Sequence, residues 1–135
     1  KNMLKKIKWF AIIFGVFSLA LFYFFINPNE VNYLPECPLY FTTGIYCPGC
    51  GSQRATHQLL NFNIFGVLQQ NVLFFISLIV LGYHLIVTGI NAFFKKDFYN
   101  YMYHPKTPLV ILAVIVVFWI LRNIPYYPFN LLAPN

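Results

Sequence analysis

The sequence predicts an all-α membrane protein with three transmembrane helices, a cysteine-containing outer loop and a short interfacial amphipathic helix. Three observations predict it. The 135 residues are 59% hydrophobic and only 9% charged, against roughly 45–50% apolar and about 25% charged in a soluble domain. Three long apolar runs carry almost no charge. The lysines flank those runs instead of forming a stripe on a polar face. The net charge of +6 therefore reads as membrane topology, and nucleic acid is not an expected partner. We take residues 1–135 as a single membrane domain, with spans at about 9–26, 72–94 and 108–124 and an outer loop over 27–71.

The first run, Trp9 to Ile26, is WFAIIFGVFSLALFYFFI. Asn27-Pro28 stops it, since proline cannot continue a helix. Asn27-Pro28-Asn29-Glu30 is not a small-residue cleavage site, so the run is read as a retained anchor. The second, Val72 to Phe94, is long enough to span with some tilt. The third, Pro108 to Leu121, would rise only about 21 Å. Arg122 can snorkel and let Asn123-Ile124 extend it to Pro125. A buried helix or a re-entrant segment is the alternative to a third span.

Lys1, Lys5, Lys6 and Lys8 precede the first span, and Lys95, Lys96 and Lys106 lie between the second and third. The stretch from Asn27 to Asn71 has one cation, Arg54. The positive-inside rule then predicts a cytoplasmic N-terminus, with the cysteine loop and the C-terminus outside. Within the outer loop, residues 28–50 are rich in proline, glycine and aromatics and predict an irregular ordered cap. From Ser52, a plausible N-cap, the pattern turns helical to Leu60 and predicts an amphipathic element along the membrane surface. Asn61-Phe62-Asn63 reads as a turn, after which Ile64, Val67 and Leu68 begin a helix leading into the second span.

The segment Cys37 to His57, CPLYFTTGIYCPGCGSQRATH, holds all three cysteines. Cys47-Pro48-Gly49-Cys50-Gly51 has the shape of a zinc knuckle, with Cys37 as third ligand and His57 as the obvious fourth. Alternatively Cys37 pairs with Cys47 or Cys50 in a disulfide, as an outward loop in an oxidising space favours. Cys47-Pro48-Gly49-Cys50 as an active dithiol is a third reading, although the βαβ context of a thioredoxin-like site is missing. Reduced thiols packed under aromatics are the plainest one. Zinc is the one cofactor this pattern suggests.

Arg54 and Arg122, with Asn123, converge on the outer rim. They can hold a small anion or a lipid headgroup, or, more plainly, tie the loop to the helix ends. His84 falls near the middle of the second span, where a neutral hydrogen bond to a neighbouring helix is the expected role. His104 sits among Tyr99, Tyr101 and Tyr103 in an interfacial aromatic belt.

Cys37-Pro38, Thr43-Gly44, Cys47-Pro48-Gly49-Cys50-Gly51 and Arg54 together resemble the signature of a small bacterial membrane family, the domain of unknown function 2752. Arg122-Asn123-Ile124-Pro125 is similar to the Arg-Asn-x-Pro that follows the last span in many members. The chain departs from the pattern at Asn63-Ile64, where many members have Gly-Asp, and at Asn71-Val72, where many have Asn-Pro. The resemblance implies a bacterial inner membrane location and no established reaction.

No paired carboxylates and no nucleophile–base constellation stand out. The expected function is therefore a non-enzymatic membrane subunit or accessory protein of a larger complex. Its partners would be the lipid bilayer and other integral membrane subunits. The alternative is a thiol–disulfide or zinc-binding membrane protein, with an anionic lipid headgroup as its further ligand.

Overall fold

The computed structural model describes residues 1–32 and 34–134. Among them there are helices and no strands. Helix α1 (Asn2–Phe25) and helix α5 (Val72–Phe94) are the two elements long and apolar enough to cross a membrane. Neither buries a single residue within the chain. A long apolar helix that its own chain leaves without a buried residue needs an apolar solvent or partner around it.

Between them lies a compact cap built from three short helices: α2 (Pro38–Thr43), α3 (Ser52–Leu60) and α4 (Ile64–Gln70). Helix α2 forms because Pro38 pre-sets the backbone at the first helical position. It ends at Gly44, which adopts the left-handed conformation (φ 74°) while its N–H donates to the Tyr40 carbonyl at 2.8 Å. The sequence pattern predicted only an irregular segment here. Helix α3 matches the predicted range, but its N-cap is Gly51, not Ser52, which is the first helical residue.

Helices α4 and α5 are not continuous. Asn71 is extended (φ −162°, ψ 101°) and breaks the path after one short helix. Its Oδ1 then accepts from the Phe74 N–H at 3.1 Å and caps the long helix that follows. Asn63 does the same for α4 through the Gly66 N–H at 3.0 Å.

Helix α6 (Thr107–Arg122) has 16 residues and reaches about 24 Å. The chain before it explains why it is short. After α5 the connection does not run away from the helix end but doubles back along it. Asn91 pairs with both backbone groups of Phe98, at 2.9 and 3.0 Å. His84 Nδ1 stands 2.9 Å from Asn100 Nδ2, and the Tyr101 N–H meets the Tyr83 hydroxyl at 3.4 Å. Thus the connection that leads to α6 lies beside the middle of α5 rather than beyond its end. The partner of His84 is the connection, not the neighbouring helix that the sequence suggested. The Tyr103 ring also lies edge-on to His84, with centroids 5.7 Å apart.

The end of α1, the start of α5 and the end of α6 all reach the cap. Tyr23 meets His57, Asn71 meets the cysteine loop, and Arg122 enters beneath it. Nearly all residues shielded from solvent gather there, including Cys50, Ala55, Val67, Gln70, Asn71 and Arg122. The core of this protein is therefore the cap, and the lysine-bearing ends Lys1–Lys8, Lys95–Lys96 and Lys106 lie at the opposite ends of the three helices.

Candidate functional site

The cysteines arrive from two places. Cys37 is the N-cap residue of α2, whereas Cys47 and Cys50 lie on the turn that precedes α3. Cys50 N–H donates to the Cys47 carbonyl at 3.1 Å, which closes that turn. The three Sγ atoms lie within 4.8 Å of one another. Cys47 Sγ is 3.2 Å from both Cys37 Sγ and Cys50 Sγ. These separations exceed the S–S bond length of about 2.05 Å, and all three are free thiols. The Cys47 N–H also points at Cys50 Sγ, 3.2 Å away, an amide–sulfur contact that favours thiolate.

The back of this turn is held by one side chain from the far end of the sequence. Arg122 is 1% exposed. Its Nη1 donates to the carbonyls of Cys47 (3.0 Å) and Pro48 (3.3 Å). Its Nη2 donates to those of Cys50 (2.8 Å) and Gln70 (3.2 Å), and its Nε to Leu132 (3.2 Å). All five guanidinium N–H groups are thereby used, as a buried cation requires. The rings of Phe118 and Tyr46 lie over it, at 5.1 and 5.8 Å.

Two asparagines complete the frame. Asn123 pairs with the backbone of Tyr46 in both directions, at 2.8 and 2.9 Å. Asn71, 1% exposed, donates to the carbonyls of Pro48 (3.0 Å) and Cys50 (3.1 Å). Gly51 is required by the same close packing. It sits at φ +85°, and a Cβ there would lie 2.5 Å from the Gln70 carbonyl oxygen.

The thiols are unequal. Hydrogen bonding from Cys50 draws Cys37 down from an ordinary value near 9.0 to about 6, aided by the backbone N–H groups of Tyr40 and Leu39 and by Cys47 against a desolvation cost. Burial pushes Cys50 up to about 12, with the two neighbouring thiols adding to the shift. Cys37 therefore carries the first negative charge of the trio.

Of the residues singled out from the sequence, Cys37, Cys47 and Cys50 are brought together, and Arg122 and Asn123 grip the same turn from behind. His57 is not among the clustered ligands. Its Nδ1 lies 2.6 Å from the Tyr23 carbonyl, so it ties α3 to the end of α1. Arg54 is half-buried on the first turn of α3 and has no hydrogen bond or ion pair among the described residues, with neither Glu30 nor Glu36 as partner. His84 stands apart from the cap, held by Asn100. Asn71 stands in the sequence only as the loop's end and as a departure from the family pattern, and its bracing role is missed there, although an asparagine just before a long apolar run is a recognisable capping signal.

In front of the thiols is a cavity of about 880 Å³. All three cysteines line it, together with Glu36, Gln53 and Arg54. No curated protein and no solved structure matches the chain. Residues 37–85, which carry the cysteine turn, Asn71 and the first half of α5, match the family model described as protein of unknown function (DUF2752), the same family whose signature the motif resembles.

Proposed function

We propose that this chain is an integral membrane protein whose cap holds a thiophilic metal ion of the zinc class on Cys37, Cys47 and Cys50. The observation that carries this reading is the convergence of three sulfur atoms within 4.8 Å on a backbone held rigid from behind. Around a tetrahedral ion with Zn–S bonds of about 2.3 Å the sulfurs would stand about 3.8 Å apart. The trio meets that spacing by opening about half an ångström from its closest contacts. Cys37 supplies charge near neutral pH, and the ion displaces the proton of Cys50.

The deciding experiment is metal analysis with thiol counting on the full chain, purified in mild detergent under reducing conditions. One metal per chain is expected, lost when any one of the three cysteines becomes serine. A metal-free protein with two thiols missing as a disulfide would sink the metal reading in favour of a staple.

A second reading, an accessory subunit of a larger membrane complex, draws support from α1 and α5, long apolar helices in which this chain buries no residue. Co-purification in mild detergent tests it, and a chain that leaves its native membrane alone would count against it. Under both readings α6 is the third span. The cap and C-terminus face out of a bacterial inner membrane and the N-terminus faces the cytoplasm. That orientation is supported by the lysines at the helix ends remote from the cap. A membrane-impermeant amine label reaching Lys95 or Lys96 from outside intact cells would invert it.

A further inference from the structure

Three protein sulfurs leave a tetrahedral ion one ligand short, and a fourth position not filled by protein is the mark of a site that binds something else. Among the described residues, no fourth ligand joins the cysteine cluster. His57 is turned away to Tyr23. Behind the turn, the space belongs to the Arg122 guanidinium and the Asn71 amide, which are committed to backbone carbonyls. The remaining direction is the cavity that all three cysteines line. At about 880 Å³ it falls within the roughly 300–1,000 Å³ of small-molecule sites.

We infer that the fourth position of a metal ion on the thiol trio opens into this cavity and takes an oxyanion of the phosphate class, whose outer oxygens are held by Arg54. This rests on the metal reading above. Arg54 lines the same cavity and has no partner among the described residues. A guanidinium presents paired N–H groups matched to two oxygens of one phosphate, while a third oxygen remains for the metal. The ligand chemistry has two sources. The cavity is also lined by Pro28 and Asn29, immediately beyond the end of α1, so a lipid headgroup can reach it from the bilayer as readily as a soluble phosphate can from water. Among the described lining residues, Glu36, exposed on the wall of the cavity, is the carboxylate that could occupy the position instead.

The test uses the full chain in detergent loaded with cobalt(II), whose visible bands report coordination directly. Titration with inorganic phosphate, and separately with short-chain phosphatidylglycerol, should shift those bands saturably. Response to inorganic phosphate identifies a soluble ligand, and response to the lipid alone identifies a headgroup. Arg54→Gln that still takes up one cobalt should weaken the response at least tenfold, and Arg54→Lys should recover part of it. Bands that neither phosphate moves, a response indifferent to Arg54, or a resting spectrum altered by Glu36→Gln would each overturn the inference while leaving the metal site standing. A chain that takes up no cobalt would remove the metal reading itself, and this inference with it.

Discussion

Arg122 holds Cys50 across 72 positions of sequence: its Nη2 donates to the Cys50 carbonyl oxygen at 2.8 Å. One guanidinium thereby joins the last turn of α6 to the cysteine turn, to the end of α4 and to the C-terminal segment. A lysine has a single ammonium and cannot reproduce a five-donor fork. Each buried carbonyl left unpaired costs about 1–3 kcal/mol. Arg122→Lys should therefore destabilise the cap by about 3 kcal/mol or more. The readouts are a lowered thermal midpoint in detergent and exposure of Cys50 to alkylation.

Gly51→Ala should damage the same turn for a different reason. The added methyl meets the Gln70 carbonyl oxygen at 2.5 Å, and the backbone sits at φ +85°. Left-handed strain alone is worth about 1–2 kcal/mol for a residue with a Cβ, so the loss should exceed that of the open-space control Gly44→Ala, which shares the strain but not the clash. Side-by-side thermal denaturation of the two variants checks the ordering.

Alkylation of the metal-free chain should separate the thiols by pH. The folded value of Cys37 lies below its ordinary 9.0, so its thiolate is present above about pH 6 and lost below it. Cys50 lies above its ordinary value, at about 12, and stays protonated through neutral pH. Iodoacetamide labelling followed by peptide mass spectrometry should give a Cys37 rate rising with a midpoint near pH 6, while Cys50 reacts only in strong alkali or after unfolding. A common midpoint for both near 9 would contradict the geometry.

His57→Ala should leave metal content at one per chain, because its ring serves the Tyr23 carbonyl and not the thiols. The loss should appear in the docking of α1 on α3, on the order of 1 kcal/mol for one hydrogen bond. Metal analysis beside protease sensitivity near residue 27 reads both effects.

At the other end, His84→Ala should free the connection that doubles back on α5, since Asn100 would lose its ring partner. Faster hydrogen exchange over residues 98–103, with no change in the cap, is the expected pattern.

Helices α1 and α5 could be read from sequence because a long uncharged apolar run has few other stable forms. Helix α3 was legible from its periodicity, and the cysteines from their spacing. What spacing cannot give is direction. His57 has the right distance along the chain to join the thiols, yet its helix aims it at α1. The α2 helix hid behind Pro38, which marks loops as often as first helical positions. Arg122 was expected to snorkel and to tie the loop to the helix end, and only the fold reveals that five carbonyls from three separate segments surround it. The break at Asn71 was equally silent, since a single polar residue ahead of an apolar run does not show whether the helix before it continues.

The folded-back connection also shapes whatever surrounds the protein. Helix α5 has 23 residues and α6 has 16, a difference of about 10 Å in rise. With α6 as the third span proposed above, a hydrocarbon layer fitted to the longer helix would overhang the shorter, where the connection carries the exposed rings of Tyr99, Tyr101 and Tyr103. Lipid tails on that flank would then compress or tilt, at fractions of a kcal/mol per ångström. On that reading the molecule would be lopsided in thickness, and it should settle more readily in thin bilayers than in thick ones.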